Sequence, residues 1–154
     1  MRALRHAYQR QDSPQTLKEG LDEYYAHIPG LITEEHGGRE VAQALRVHDT
    51  AHVVFGCDTS LHGEALADPW TLFGTTVTFR EYLGLLRYPQ IRQVFRDAGT
   101  WNLIKATVLA LPDYLRLFAC TVRMPKRWPA HDHAAYMNRS LADIRREFGI
   151  RVLG

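Results

Sequence analysis

Apolar residues recur at steps of three and four through most of the chain, the period of helices that bury one face. Leu17, Leu21, Tyr24 and Ile28 form the first stripe, with Ser13-Pro14 read as N-cap and first helical position and Pro29-Gly30 as the stop. Residues 1–12 are basic and polar and read as a frayed lead-in. After the Gly37-Gly38 break, residues 38–55 form a helix on which Val41, Leu45, His48, His52 and Phe55 share an arc of about 80°, at 100° per residue. Gly56-Cys57-Asp58 reverses the chain. In the helix that follows, Leu66, Trp70, Phe73 and Val77 fall on the side opposite Glu64, and Pro69 disfavours helix at Asp68 and is placed to bend the axis. Residues 79–98 carry Phe79, Leu83 and Leu86, then Pro89, then Ile91, Val94 and Phe95, a helix broken at the proline.

Residues 100–123 are the most apolar stretch. Trp101, Ile104, Val108, Leu111, Leu115, Phe118 and Val122 form one stripe, and Leu103, Thr107, Ala110, Tyr114 and Leu117 a second. A helix apolar on two sides is expected to be a central core helix, kinked at Pro112; the sharper alternatives are a channel for a lipid tail or a dimer contact. The last helix, with Asp132 near its start, buries Met137, Leu141, Ile144 and Phe148, exposes its arginines and stops at Gly149. No internal repeat is present. The pattern predicts an all-α fold, a single helical domain of about six helices over residues 1–154.

Composition narrows the function classes. Of 154 residues, 45% are hydrophobic and 23% charged, as in an ordinary globular protein, and the formal charge of +2, without a stripe of Lys and Arg, argues against nucleic acid. Cys57 and Cys120 have no CxxC spacing, and no secretory signal opens the chain, so a reducing cytoplasm is expected and no disulfide. The longest uncharged stretch, Pro69 to Phe79, is about half a spanning helix. Contact with a membrane surface is a separate matter: in Arg123-Met124-Pro125-Lys126-Arg127-Trp128-Pro129 an indole beside cations reads as an interfacial anchor on the inner face of the cell membrane.

The chemistry is concentrated in residues 48–64, HDTAHVVFGCDTSLHGE. His48 and His52, at i and i+4, lie about 40° apart around one helix and reach a common point. Glu64, on the antiparallel helix beyond the turn, supplies a carboxylate at comparable height. Two imidazoles and a carboxylate make a three-ligand site for a divalent metal with a position open to water or substrate. Asp49 sits at the edge of the arc, where it can bind the metal, hold a histidine tautomer as an outer partner, or act as a base; the spacing leaves all three open. The bland alternative for the histidines is a satisfied core pair. For Glu64 it is a capping-box glutamate, but with Asp58, Thr59 or Ser60 as cap the third helical position is Leu61, His62 or Gly63, so that explanation fails by one residue. His62 is expected at the rim. Arg80, Arg87, Arg92 and Arg96 are expected to form a solvated face, with a phosphate clamp as the alternative.

The spacing His48-Asp49-x-x-His52, eleven residues, Glu64, with Gly56 and Gly63 beside it, resembles the signature of the coenzyme Q biosynthesis protein 4 family, and Ser140 to Ile150 (SLADIRREFGI) resembles that family's closing helix. The resemblance implies a metal-binding protein of prenylated quinone biosynthesis that acts at the membrane. It further implies a role in oxidative removal of the carboxylate from a prenylated hydroxybenzoate ring, with one metal held by His48, His52, Glu64 and Asp49, and Asp49 shuttling a proton. Zinc is the first expectation, with manganese, iron and cobalt as alternatives. Expected partners are a prenylated quinone precursor or isoprenoid lipid, a membrane surface and a second copy of the chain. A non-catalytic prenyl-lipid-binding or scaffold protein is the alternative reading. A metal-assisted hydrolase is a third, since His-Asp-x-x-His is one methylene short of the zinc-protease pair.

Overall fold

The computed structural model of the chain describes residues 6–28 and 38–153. It contains helices α1 (Leu17–Ala26), α2 (Arg39–Phe55), α3 (Leu61–Pro69), α4 (Phe79–Gly84), α5 (Pro89–Ala98), α6 (Thr100–Arg123) and α7 (Leu141–Phe148). A π-helical turn, Trp70–Gly74, continues α3, and short 3₁₀ segments cover Ala7–Gln9, Leu85–Arg87 and Ala130–Tyr136. The fold is all-α: among the described residues there is no strand, and pairing is limited to isolated bridges at Thr16–Ser140 and Thr75–Trp128. The described residues carry seven α-helices, one more than the apolar pattern suggested. The extra one arises at Tyr88, whose extended backbone (φ −80°, ψ 124°) is the conformation a following proline imposes, so Pro89 opens a new helix.

Helix α1 starts three residues later than Ser13-Pro14 suggests. Its cap is Thr16, whose hydroxyl accepts the Glu19 N–H at 3.2 Å while the Glu19 carboxylate accepts the Thr16 N–H at 2.8 Å. Ser13 is buried, and its carbonyl accepts the Ala142 N–H. Nor is the lead-in frayed from residue 6 on: Tyr8 is fully buried and its hydroxyl donates to the Cys57 carbonyl at 3.2 Å. Residues 1–5, the Pro29-Gly30 stop and Gly37 lie outside the described residues.

The centre of the fold is α2, packed by α1, α3, α7 and the Ala130–Tyr136 segment. Every residue from Val47 to Asp58 is buried except His48, which is half-buried. The expectation that residues 100–123 form the central helix is overturned. Helix α6 lies on the outer side of α3, where Ala106, Ala110 and Leu117 are buried, and the other stripe faces outward, with Trp101, Leu115 and Val122 exposed at 81%, 75% and 85%. Small residues let the two helices approach closely on one side only. Phe79, Leu83 and Leu86 are likewise exposed. Pro112 stays inside the continuous helix.

Two further expectations near the C-terminal end are corrected. Trp128 is fully buried, its ring 4.7 Å from Tyr136 and 5.2 Å from Phe148, so this indole is a core residue and not an interfacial anchor. Arg145 is buried on α7 while Arg146 is exposed beside Asp143. Asp132 belongs to the 3₁₀ segment, and α7 opens at Ser140, whose hydroxyl accepts the Asp143 N–H.

Pro69 does not stop α3 at Asp68. Lacking an N–H, it leaves the carbonyl one turn back without its usual donor, and the chain answers by widening into the π turn. The Thr71 and Thr75 hydroxyls brace that turn, donating to the carbonyls of Ala67 (2.8 Å) and Thr71 (2.6 Å). Trp70 stacks on Phe55 of α2, ring centres 4.4 Å apart. Because α3 lies between α2 and α6, Leu66 and Glu64 can point to different sides and both meet a neighbour.

Candidate metal centre

The site is made by the end of α2 and the start of α3. Gly56 ends α2 in the left-handed region (φ 73°), and a Cβ there would also lie 2.6 Å from Val152. After the turn, Asp58 accepts from the N–H and hydroxyl of Ser60, and the Ser60 hydroxyl accepts the Gly63 N–H at 3.2 Å. With Ser60 as cap, Gly63 is the third residue of the helix and Glu64 the fourth, so Glu64 has no capping duty and its carboxylate turns to α2. The turn is closed tightly: a Cβ on Gly63 would lie 2.0 Å from the Asp58 carbonyl oxygen. Gly63→Ala is therefore expected to lower stability by about 1–3 kcal/mol through forced displacement of this backbone. Thermal denaturation of the metal-free protein checks it, and an unchanged melting temperature would refute the tight-turn account.

Three lone-pair atoms converge. His48 Nε2 and His52 Nε2 are 3.1 Å apart, and Glu64 Oε2 lies 3.5 Å from the first and 3.2 Å from the second. Ligands at about 2.0–2.1 Å from a tetrahedral zinc stand roughly 3.3 Å from one another, so the spacing suits a small divalent ion. The group His48, His52 and Glu64 could hold a metal ion. The rings are set by packing: His52 is fully buried against Tyr24, centres 5.1 Å apart, and the Nδ1 atoms of both histidines are buried without a hydrogen-bond partner among the described residues. Each ring thus spends its polar contacts on the cluster.

Electrostatics bind the three groups together. Burial opposes charge on His48, but the hydrogen bond and the negative charge of Glu64 outweigh it and raise its pKa to about 9. Burial likewise opposes charge on Glu64, and the two histidines, His52 foremost, nevertheless hold the carboxyl well below the usual carboxylate range. The Glu64 side chain remains 42% exposed, which leaves the cluster open on one side.

Asp49 does not join the other three. One residue on from His48, it is rotated about 100° around α2 and turns to α1, where its carboxylate accepts a long hydrogen bond from the Tyr24 hydroxyl (3.5 Å) and one from Tyr25. Burial raises its pKa, with His48 and His52 opposing the rise. The expected direct ligand is therefore a buried acid beside the cluster, and since neither Nδ1 has a partner, it does not hold a histidine tautomer either. His62 pairs with Asp113 at 3.3 Å, away from the cluster, and His131 with Glu81 at 3.4 Å.

Sequence reasoning missed Asp68 and the cleft. Asp68 is one turn beyond Glu64, hydrogen-bonds with Tyr82, and contributes negative potential at His48; its i+4 spacing from Glu64 was the available signal. A cleft of about 480 Å³ opens beside the cluster, with His48 and Thr71 in its wall and Tyr82, Tyr88, Arg80 and Arg87 around it. Arg87 reaches Glu40 (3.7 Å) and the Tyr88 hydroxyl (2.6 Å), whereas Arg80 has no charged or hydrogen-bonded partner among the described residues. Arg92 and Arg96 sit on the solvated face that was expected.

No family model matches the chain, and no curated protein and no solved structure is significantly similar to it.

Proposed function

We propose that this chain binds one divalent metal ion, zinc before manganese, iron or cobalt, through His48, His52 and Glu64, and acts on a small anionic ring compound in prenylated quinone biosynthesis. The observation that carries the reading is the convergence of three ligand atoms at tetrahedral spacing beside an open cleft. The quinone assignment is supported by the motif spacing of residues 48–64 and by the SLADIRREFGI segment, both of which resemble the coenzyme Q biosynthesis protein 4 family. A metal bound here would supply Lewis acidity to a ring hydroxyl or carboxylate. The chain's own residues orient the ligand: Arg80, unpaired among the described residues, offers a cation for an acidic group, and Tyr82 and Tyr88 offer ring faces. Burial of Asp49 beside the histidines favours its neutral form, which the two histidines oppose.

A second reading is favoured by the position of Asp49: its carboxylate turns to the tyrosines of α1 and not to the three ligand atoms, so the metal serves as a staple between α2 and α3 in a non-catalytic lipid-binding or scaffold protein. One experiment separates the two. Purified protein loaded with zinc or manganese is incubated with a prenylated 4-hydroxybenzoate derivative bearing the ring carboxylate, with oxygen present, and loss of the carboxylate is followed by mass spectrometry. Metal-dependent turnover that falls at least about tenfold in Arg80→Ala supports the catalytic site. About one metal per chain, a large thermal shift on metal removal and no turnover would leave the staple.

A further inference from the structure

The exposed stripe of α6 has the spacing of a coiled-coil seam. Trp101, Ile104, Val108, Leu111, Leu115, Phe118 and Val122 follow one another by 3, 4, 3, 4, 3 and 4 residues, six consecutive steps of an unbroken heptad, and all seven are exposed. The helix is continuous from Thr100 to Arg123, about 36 Å at 1.5 Å per residue. The exposed parts of these side chains come to on the order of 800 Å² per copy, whereas a monomer's largest apolar patch is ordinarily roughly 300–600 Å². Each partner in a stable complex buries roughly 800 Å². We infer that α6 is a self-association surface on which a second copy of this chain packs its own α6, seam to seam, in a two-fold dimer.

The charges on α6 favour a second copy as the occupant. The seam itself holds no charged residue. Lys105, Arg116 and Arg123 all lie along one flank, and the other flank carries Thr100, Thr107, Tyr114 and Thr121. In a parallel pair the one cation bordering the seam, Lys105, faces the threonines of the second copy; in an antiparallel pair it faces Pro112 or Ala119, so in neither does cation oppose cation. A helix lying in a lipid surface would instead be anchored by cations on both flanks. Among the described residues no helix is long and apolar enough to cross a membrane.

The test is the mass in solution of the full chain between about 1 and 100 µM, by sedimentation equilibrium, in wild type and in Leu115→Glu, Val108→Glu and Leu109→Glu. Leu109 is as exposed as the seam residues but lies off the seam, so it controls for added charge. Twice the 17.7 kDa chain mass is expected for wild type and Leu109→Glu, with a dissociation constant raised at least about 100-fold in each seam variant. Far-UV circular dichroism checks that the seam variants keep their helix content, as substitutions at exposed positions should. A wild-type chain that stays monomeric at about 100 µM overturns the proposal, including one that sediments with vesicles of anionic phospholipid; so does a dimer that survives Leu115→Glu and Val108→Glu.

Discussion

Replacing Arg145 by methionine is expected to cost about 2–6 kcal/mol of folding stability. The guanidinium is buried and meets no carboxylate among the described residues; each of its three nitrogens donates to backbone carbonyls. Nε donates to Val54 (2.8 Å), one terminal nitrogen to Val53 (2.8 Å) and Tyr8 (2.7 Å), and the other to Arg10. Val53 and Val54 belong to the last turn of α2, where carbonyls lack the regular donor four residues on and the partial negative charge of the helix end favours a cation. Arg145 therefore caps the metal-bearing helix, and the same side chain holds residues 8–10 against it. Burial lowers its pKa to about 10, which still leaves it charged at neutral pH. Methionine fills similar volume but removes all four bonds: the Val53 and Arg10 carbonyls keep the N–H groups of Gly56 and Ser13, while those of Tyr8 and Val54 lose their donor at about 1–3 kcal/mol each. Against a total stability of about 5–15 kcal/mol, that is a large share of the margin. Urea denaturation of Arg145→Met and Arg145→Lys measures it. Lysine, with one short-range donor group in place of the fork, should recover less than half of the loss; a methionine variant within about 1 kcal/mol of wild type would remove this account of how α2 is held.

The sequence pattern located the helices well and their burial poorly, for one physical reason. Periodicity says which residues share a face but not what covers that face. The stripe on α6 is apolar in both readings; only the packing shows that α3 takes the side bearing Ala106 and Ala110, leaving the larger side chains outside. Conversely α2 carries Asp49, Thr50, His48 and His52 and looks less like a core helix, yet it is the most enclosed element because those polar groups find partners: Thr50 donates to the Val47 carbonyl at 2.7 Å, and Asp49 accepts from tyrosines. Arg145 was placed on a solvated face for the same reason, since an arginine that satisfies carbonyls from two distant segments looks identical in sequence to one facing water.

The cluster was more legible than its surroundings. The positions of His48 and His52 follow from one turn of helix, and the reach of Glu64 follows from a turn whose length is fixed by Gly56, Ser60 and Gly63. Both are local. The orientation of Asp49 depends on α1, 24 and 25 residues earlier in the chain, and the cleft depends on how α4, shortened before Tyr88, lies across α2. Neither is written in the spacing of residues 48–64. Trp128 shows the same limit: a cationic loop with an indole reads as an anchor until Tyr136 and Phe148 are seen to enclose the ring.

Glu64→Gln and His52→Ala should each weaken metal binding at least about 100-fold, while Asp49→Asn should change it by less than about tenfold. The asymmetry comes directly from the geometry, in which Glu64 and His52 contribute atoms 3.2 Å apart and Asp49 contributes none. Glutamine is the sharper probe, because it keeps the volume and removes the anion that faces both imidazoles. Elemental analysis after dialysis against zinc should give about one ion per wild-type chain and none retained by the two ligand variants. At a free zinc concentration near 100 times the dissociation constant, binding stabilises the folded state by about 2.7 kcal/mol, which for a chain of this size raises the melting temperature by roughly 5–10 °C. Asp49→Asn should keep that shift, and Glu64→Gln should lose it without losing its helix content. If instead Asp49→Asn abolished the shift and Glu64→Gln preserved it, the ion would sit on the α1 side of α2, and the cleft beside His48 would no longer be its open face.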